Sequence, residues 1–178
     1  CYLKTNTLLN RLITSKTRLK LLIKFFISQA NKGHLNGLAT EMGESTNSIR
    51  KELNHLYATG YLEKTKVNNK VEYNVNVSHP LYETLKKVVY KHLGLEDIIE
   101  SVLHRMGDVD QILITGDYAK GIDSGNIEVI IVGNEINYKY LTQLEEKIEN
   151  LISRRVSFFL TARPPLQKHI LTIYNKQK

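Results

Sequence analysis

Between Ser45 and Val77 the spacing of apolar residues changes from that of a helix to that of a strand, and this change restricts the fold more than any other feature. In STNSIRKELNHLYATG (45–60), Ile49, Leu53 and Leu56 form a stripe at helical spacing, Ser45 stands at the N-cap position and Gly60 ends the run. YLEKTK (61–66) and VEYNVNV (71–77) then alternate with a period of two, and VNNK (67–70) between them suits a hairpin turn. Upstream, SKTRLKLLIKFFISQA (15–30) places Leu19, Leu22, Ile23, Phe26 and Ile27 on a helical stripe behind Ser15, another N-cap residue. A loop containing Gly33 follows, and LNGLATEMG (35–43) reads as a short helix stopped at Gly43. Three helices and then a hairpin are expected.

Past the break at His79–Pro80 the pattern is different. LYETLKKVVYKHLG (81–94) and LEDIIESVLHRMG (95–107) read as helices. QILITG (111–116) and NIEVIIVG (126–133) read as strands joined by a glycine-bearing loop. YKYLTQLEEKIENLISRR (138–155) reads as a helix, and VSFFLTA (156–162) and HILTIY (169–174) as strands. No repeat or low-complexity tract appears. The expectation is an α+β chain of two domains, 1–93 and 94–178, divided near Gly94.

The 178 residues are 42% apolar, ordinary for a globular protein with a buried core. No apolar run reaches the roughly 18 residues of a membrane span, and Lys20 and Lys24 interrupt the most apolar window, LKLLIKFFI (19–27). No signal peptide is read. A single cysteine allows neither an intramolecular disulfide nor a cysteine-based zinc site, so a reducing cytoplasmic compartment is expected. The net charge of +7 is unevenly divided: residues 1–93 hold 15 Lys and Arg against 6 Asp and Glu, whereas residues 94–178 hold 10 against 12. The basic excess belongs to the first half, whose field would attract a polyanion.

Over residues 12–93 the chain resembles the ArsR/MarR-type winged-helix transcription regulators. The residues that carry the resemblance are Ala39, small enough for two helices to cross closely, Gly43 at the turn, Ile49 facing inward, and the ending LNHLYATGYLEK before the hairpin. With Ile49, Leu53 and Leu56 inward, the opposite face of 45–60 carries Asn47, Lys51 and Asn54, with Arg50 and His55 on its flanks. Amides and cations on such a face suit base edges and phosphates in a major groove. Thr46 and Ser48 in the first turn add candidate phosphate contacts, and Lys64, Lys66, Asn68, Asn69 and Lys70 make a basic wing. A module of this kind contacts one half-site, so the resemblance implies a homodimer, with 15–30 and 81–93 as its expected dimer elements.

LITGDYAKGIDSGNIEVIIVG resembles the minimal nucleotidyltransferases of the DNA polymerase β-like superfamily. That family pairs a Gly-Ser strand end and an Ala-x-Gly element with alternating carboxylates on the next strand, which hold two Mg²⁺ ions, and a later strand supplies a third carboxylate. Here Gly116, Ala119 and Gly121 match, Asp117 replaces the serine, Asn126 and Glu128 occupy the carboxylate positions, and VSFFLTA has no acid. Too few anionic oxygens remain to offset the hydration of paired hard cations. The expectation is therefore a degenerate, non-catalytic domain in which Gly116, Asp117, Lys120, Gly121, Asn126 and Glu128 are candidate ligand contacts. No resident cofactor or metal is expected, with a nucleotide or Mg²⁺ at this degenerate site as the alternative. Asp123 is a substitute carboxylate if its loop folds inward.

The six histidines show no metal-ligand spacing and are read as structural or exposed, and the Arg154–Arg155 pair as cations at a helix end, with an anion site there as the alternative. Together these readings lead to a DNA-binding transcription regulator with a C-terminal half for ligand sensing or dimerisation, double-stranded DNA and a small-molecule effector being its expected partners and no membrane among them. The alternatives are an active nucleotidyltransferase targeted by a winged helix and a protein-interaction adaptor.

Overall fold

A computed structural model of the protein describes residues 12–166 and 168–176. The chain is mixed α+β and falls into two compact units, which meet in sequence between Val89 and Tyr90.

In the first unit the described elements run α1 (Lys16–Phe26), β1 (Lys32–His34), α2 (Leu35–Met42), α3 (Thr46–Ala58), β2 (Leu62–Val67) and β3 (Lys70–Val75). Ser15 caps α1 by accepting from Arg18 N at 3.2 Å, and Leu21, Ile23, Phe25 and Phe26 are buried. The helix stops at Phe26 rather than continuing to 30, because Asn31 folds back and donates its side-chain amide to Lys24 O at 2.9 Å. The expected loop around Gly33 contains a strand. Lys32–His34 is too short to show alternation and exists through its antiparallel pairing with β3, Gly33 opposite Tyr73. Gly43 ends α2 at φ 62°, a left-handed conformation that costs a residue without a Cβ little. Ser45 caps α3 by accepting from Ser48 N at 3.1 Å. At the hairpin tip Asn68 and Asn69 hold φ of 46° and 60°, the two left-handed positions of a two-residue turn between the paired Val67 and Lys70. The sheet order is β1-β3-β2.

One buried acid joins two of these helices. Glu52, on α3 beside Leu53, accepts from Arg18 Nε at 2.7 Å and from Ser15 Oγ at 2.8 Å. Burial alone would raise its pKa, but Arg18 and Ser15 outweigh that and hold it below the ordinary carboxylate value.

Helix α4 (Tyr82–Leu93) contains the division between the units, and the second unit continues with α5 (Leu95–Arg105), β4 (Gly107–Thr115), α6 (Gly116–Ala119), β5 (Asn126–Ile136), α7 (Leu141–Ile152), β6 (Arg155–Thr161) and β7 (Leu171–Asn175). Tyr138–Tyr140 forms a 3₁₀ turn, so α7 is shorter at both ends than the helix expected over 138–155. The sheet order is β6-β5-β4-β7, with β5 and β6 parallel and the other pairs antiparallel. The α7 connection supplies the crossover that a parallel pair requires. Ile112, Ile114, Ile127, Val129, Ile131, Val156 and Phe158 alternate onto one buried face of the sheet. On the other face Ile170 packs on Leu113, Ile130 and Val132.

The outer edge of β6 is not left open. Val156 N and Phe158 N donate to the carboxylates of Glu149 and Glu145, one turn apart on α7, at 2.9 and 3.2 Å. These bonds occupy donors that would otherwise invite another strand. Among the described residues no helix is long and apolar enough to cross a membrane.

Candidate functional site

Helical geometry carries the inward stripe of α3 into the core of the first unit and turns its polar residues outward. Ile49, Leu53 and Leu56 are buried, while Thr46, Asn47, Arg50, Lys51, Asn54 and His55 are exposed. Ser48 is half-buried and occupied in the cap, accepting from Ser45 Oγ at 2.9 Å. Arg50 donates to Asn47 Oδ1 at 3.1 Å, one turn back, so these two neighbours lie as a pair on the helix surface. Lys66, Asn68, Asn69 and Lys70 are exposed at the outer end of the hairpin. Lys64 lies nearer the helix, its Nζ 4.0 Å from the centre of the Tyr57 ring. Arg50 and Asn54 on α3 and Lys70 on β3 line a common cleft of about 390 Å³, which brings part of the helix set and part of the hairpin set together.

The distribution of acids distinguishes this face. Glu41 pairs with Lys24, Glu44 with Lys20, Glu52 with Arg18 and Glu72 with Lys32, at N···O distances of 2.6, 2.7, 2.7 and 3.4 Å. All four cations belong to α1 or β1. Arg50, Lys51, Lys64, Lys66 and Lys70 make no ion pair among the described residues. The positive charge of α3 and the hairpin therefore remains available to a polyanion, whereas much of that on α1 is spent internally.

In the second unit β5 sets Asn126 and Glu128 on one face, two residues apart. Asn126 is exposed; Glu128 is half-buried and accepts from Thr115 Oγ1 at 3.1 Å. Gly116, at φ 65°, opens α6 against this carboxylate: a Cβ there would lie 2.9 Å from Glu128 Oε2. Asp117 and Lys120 are exposed and Gly121 is buried. The parallel pairing with β6 places Arg155 opposite Asn126 and Ser157 opposite Glu128, so the neighbouring strand contributes a cation and a hydroxyl to this face. Among the described residues no group of three or more His, Cys, Asp or Glu could hold a metal.

Two sequence expectations need correction here. Asp123 is not free to replace a missing carboxylate, because Arg154 holds it bidentately: Nε donates to Oδ1 at 3.0 Å and Nη2 to Oδ2 at 2.7 Å. Tyr118, whose side chain is fully buried, donates its hydroxyl to the same Oδ1. Nor does Arg154 end the helix. The helix stops at Ile152, Ser153 turns the chain at φ 57°, and Arg154 points inward to give a third bond, from Nη1 to His92 O at 3.1 Å.

The charges in this cluster adjust to one another. Burial would raise the pKa of Asp123, but hydrogen bonding and charge from Arg154, helped by Tyr118, hold it below the usual carboxylate value. Burial, then the charge and hydrogen bond of Asp123, push the Tyr118 phenol well up. Burial, then the charge of Arg154, push His92 down, and its buried Nδ1 has no hydrogen-bond partner among the described residues. Sequence reasoning missed these partnerships because Arg154 meets residues 31 and 62 positions away, and no local spacing records such a meeting.

No family model matches the chain, and neither a curated protein nor a solved structure does.

Proposed function

We propose that the protein is a DNA-binding transcription regulator of the winged helix-turn-helix kind, working as a homodimer on duplex DNA. In this reading α3 enters the major groove, with Asn47 and Asn54 toward base edges, Arg50 and Lys51 toward phosphate or guanine, and Thr46 and Ser48 toward phosphate. The hairpin, through Lys64, Lys66, Asn68, Asn69 and Lys70, follows the adjacent backbone or minor groove. The element order α1-β1-α2-α3-β2-β3 and the left-handed Gly43 between α2 and α3 support it. The observation that carries it is the set of cations on α3 and the hairpin without an acidic partner among the described residues, beside acids neutralised by α1 and β1.

The second unit is proposed to be a degenerate nucleotidyltransferase-like domain that senses a ligand or pairs subunits. Antiparallel β4–β5 followed by parallel β5–β6 across α7 is compatible with that arrangement. Its chemistry argues against phosphoryl transfer. Asn126 offers a divalent ion a neutral oxygen, the neighbouring strand adds Arg155, and Asp123 is consumed by Arg154. Two Mg²⁺ ions need several anionic oxygens on one face.

The test is fluorescence anisotropy of labelled random-sequence duplex with the full chain across a salt series. Binding should weaken steeply with salt, and Arg50→Ala and Lys51→Ala should each flatten the log–log slope by about one. Duplex affinity that ignores both substitutions would remove α3 as the reading element. Pyrophosphate release from a nucleoside triphosphate with Mg²⁺, abolished by Glu128→Gln, would instead establish an enzyme.

A further inference from the structure

The cleft between α3 and the hairpin has a chemistry that phosphate contacts alone do not require. Its walls include Leu35, Leu53, Val71 and Tyr73, an apolar surface reaching down to the buried Leu53. His34, Arg50 and Lys70 stand among them, and none of the described residues lining the cleft is acidic. Glu72, between Val71 and Tyr73 in sequence, is not among the lining residues and pairs with Lys32 at 3.4 Å. A DNA backbone would use the cations and leave the apolar wall unsatisfied. A molecule that used both would need an apolar body and an anionic group. The volume of about 390 Å³ lies within the roughly 300–1,000 Å³ of small-molecule sites.

We propose that this cleft binds a small organic anion with an apolar, ring-sized body, held by Tyr73, Val71 and Leu53 on its apolar side and by Arg50 and Lys70 on its charged side. The inference goes further where it rests on the DNA-binding reading. Arg50, Asn54 and Lys70 would serve both ligands, so the anion and the duplex exclude each other by direct competition. An effector acting here needs no message from the second unit, and Tyr73 and Val71 set which apolar bodies fit.

The experiment uses the full chain and two probes of nearly the same shape, anionic 1-anilinonaphthalene-8-sulfonate and uncharged N-phenyl-1-naphthylamine, each followed by fluorescence. The anionic dye should bind one site per chain, and Lys70→Gln, an exposed change that leaves the core untouched, should weaken it by about fivefold or more. Tyr73→Ala should weaken the dye similarly while leaving duplex affinity within about a factor of two. With the dye at about ten times its own Kd, half-saturation of the duplex should need at least about tenfold more protein. Equal binding of the uncharged dye, or a dye titration unmoved by both substitutions, overturns the site. Duplex binding unaffected by saturating dye overturns the competition. Should the chain bind no duplex even without dye, the regulator reading falls, while the dye titrations of the two variants still decide the cleft.

Discussion

The polar residues of the two units have opposite fates. Apart from Glu52 and Glu72, those of α3 and the hairpin point outward and have few partners within the protein. Arg50 touches Asn47, Lys64 lies over Tyr57, and among the described residues no acid pairs with the cations there. Around the glycine-bearing loop of the second unit the partly buried ones are occupied with each other, Thr115 with Glu128 and Tyr118 and Arg154 with Asp123, while Asp117, Lys120 and Asn126 stay exposed. Polar groups that satisfy one another hold a fold together and have little left to offer a ligand. Those left to water can exchange it for a phosphate or a base edge with little desolvation loss. The contrast teaches that motif positions indicate where a site would be, and hydrogen-bond bookkeeping indicates whether it is still open.

The comparison breaks most readily at Asp123. Asp123→Asn keeps the shape and removes the charge that pairs with Arg154, whose side chain is only 4% exposed. A loss of about 3 kcal/mol in chemical denaturation is expected. Arg154→Met should cost less, because Asp123 keeps 27% of its side chain in solvent and can rehydrate. Equal and small effects would mean that the cluster does not support the fold. On the other side of the comparison, Ser45→Ala removes the cap of α3 and should cost about 1 kcal/mol by the same measurement. Its duplex affinity should fall less than that of Arg50→Ala, since the cap positions the helix without supplying charge.

The smallest effect is a pH dependence. His92 has a lowered folded-state pKa, so below its ordinary value of 6.5 the unfolded chain binds more protons than the folded one. Stability attributable to His92 is complete above that value and declines as the pH falls through the window beneath it. Asp123 acts with the same sign at lower pH, beneath its ordinary 3.8. Denaturation midpoints measured between pH 7 and 5 should decline in the native chain and decline less in His92→Gln. An unchanged slope in that variant would assign the dependence to other groups.

Local periodicity and turn chemistry were sufficient for most elements. Ser15 and Ser45 cap as their positions suggest, Gly43 takes the left-handed turn, and VNNK closes the hairpin through two left-handed asparagines. The exposed row of α3 was equally legible, since once Ile49, Leu53 and Leu56 are buried the helical repeat leaves Asn47, Lys51 and Asn54 outside. Strand β1 was not legible, because three residues carry no period and owe their conformation to β3. Neither was the use of Asp123, the burial of Glu52, or the meeting of Leu53 with Val71 and Tyr73 around one cleft. By itself the sequence determined which residues cap, turn and alternate, because those properties depend on neighbours a few bonds away. Only the tertiary structure decided which charges are neutralised and which remain open, because an ion pair or a cleft is made by groups that distant parts of the chain bring together.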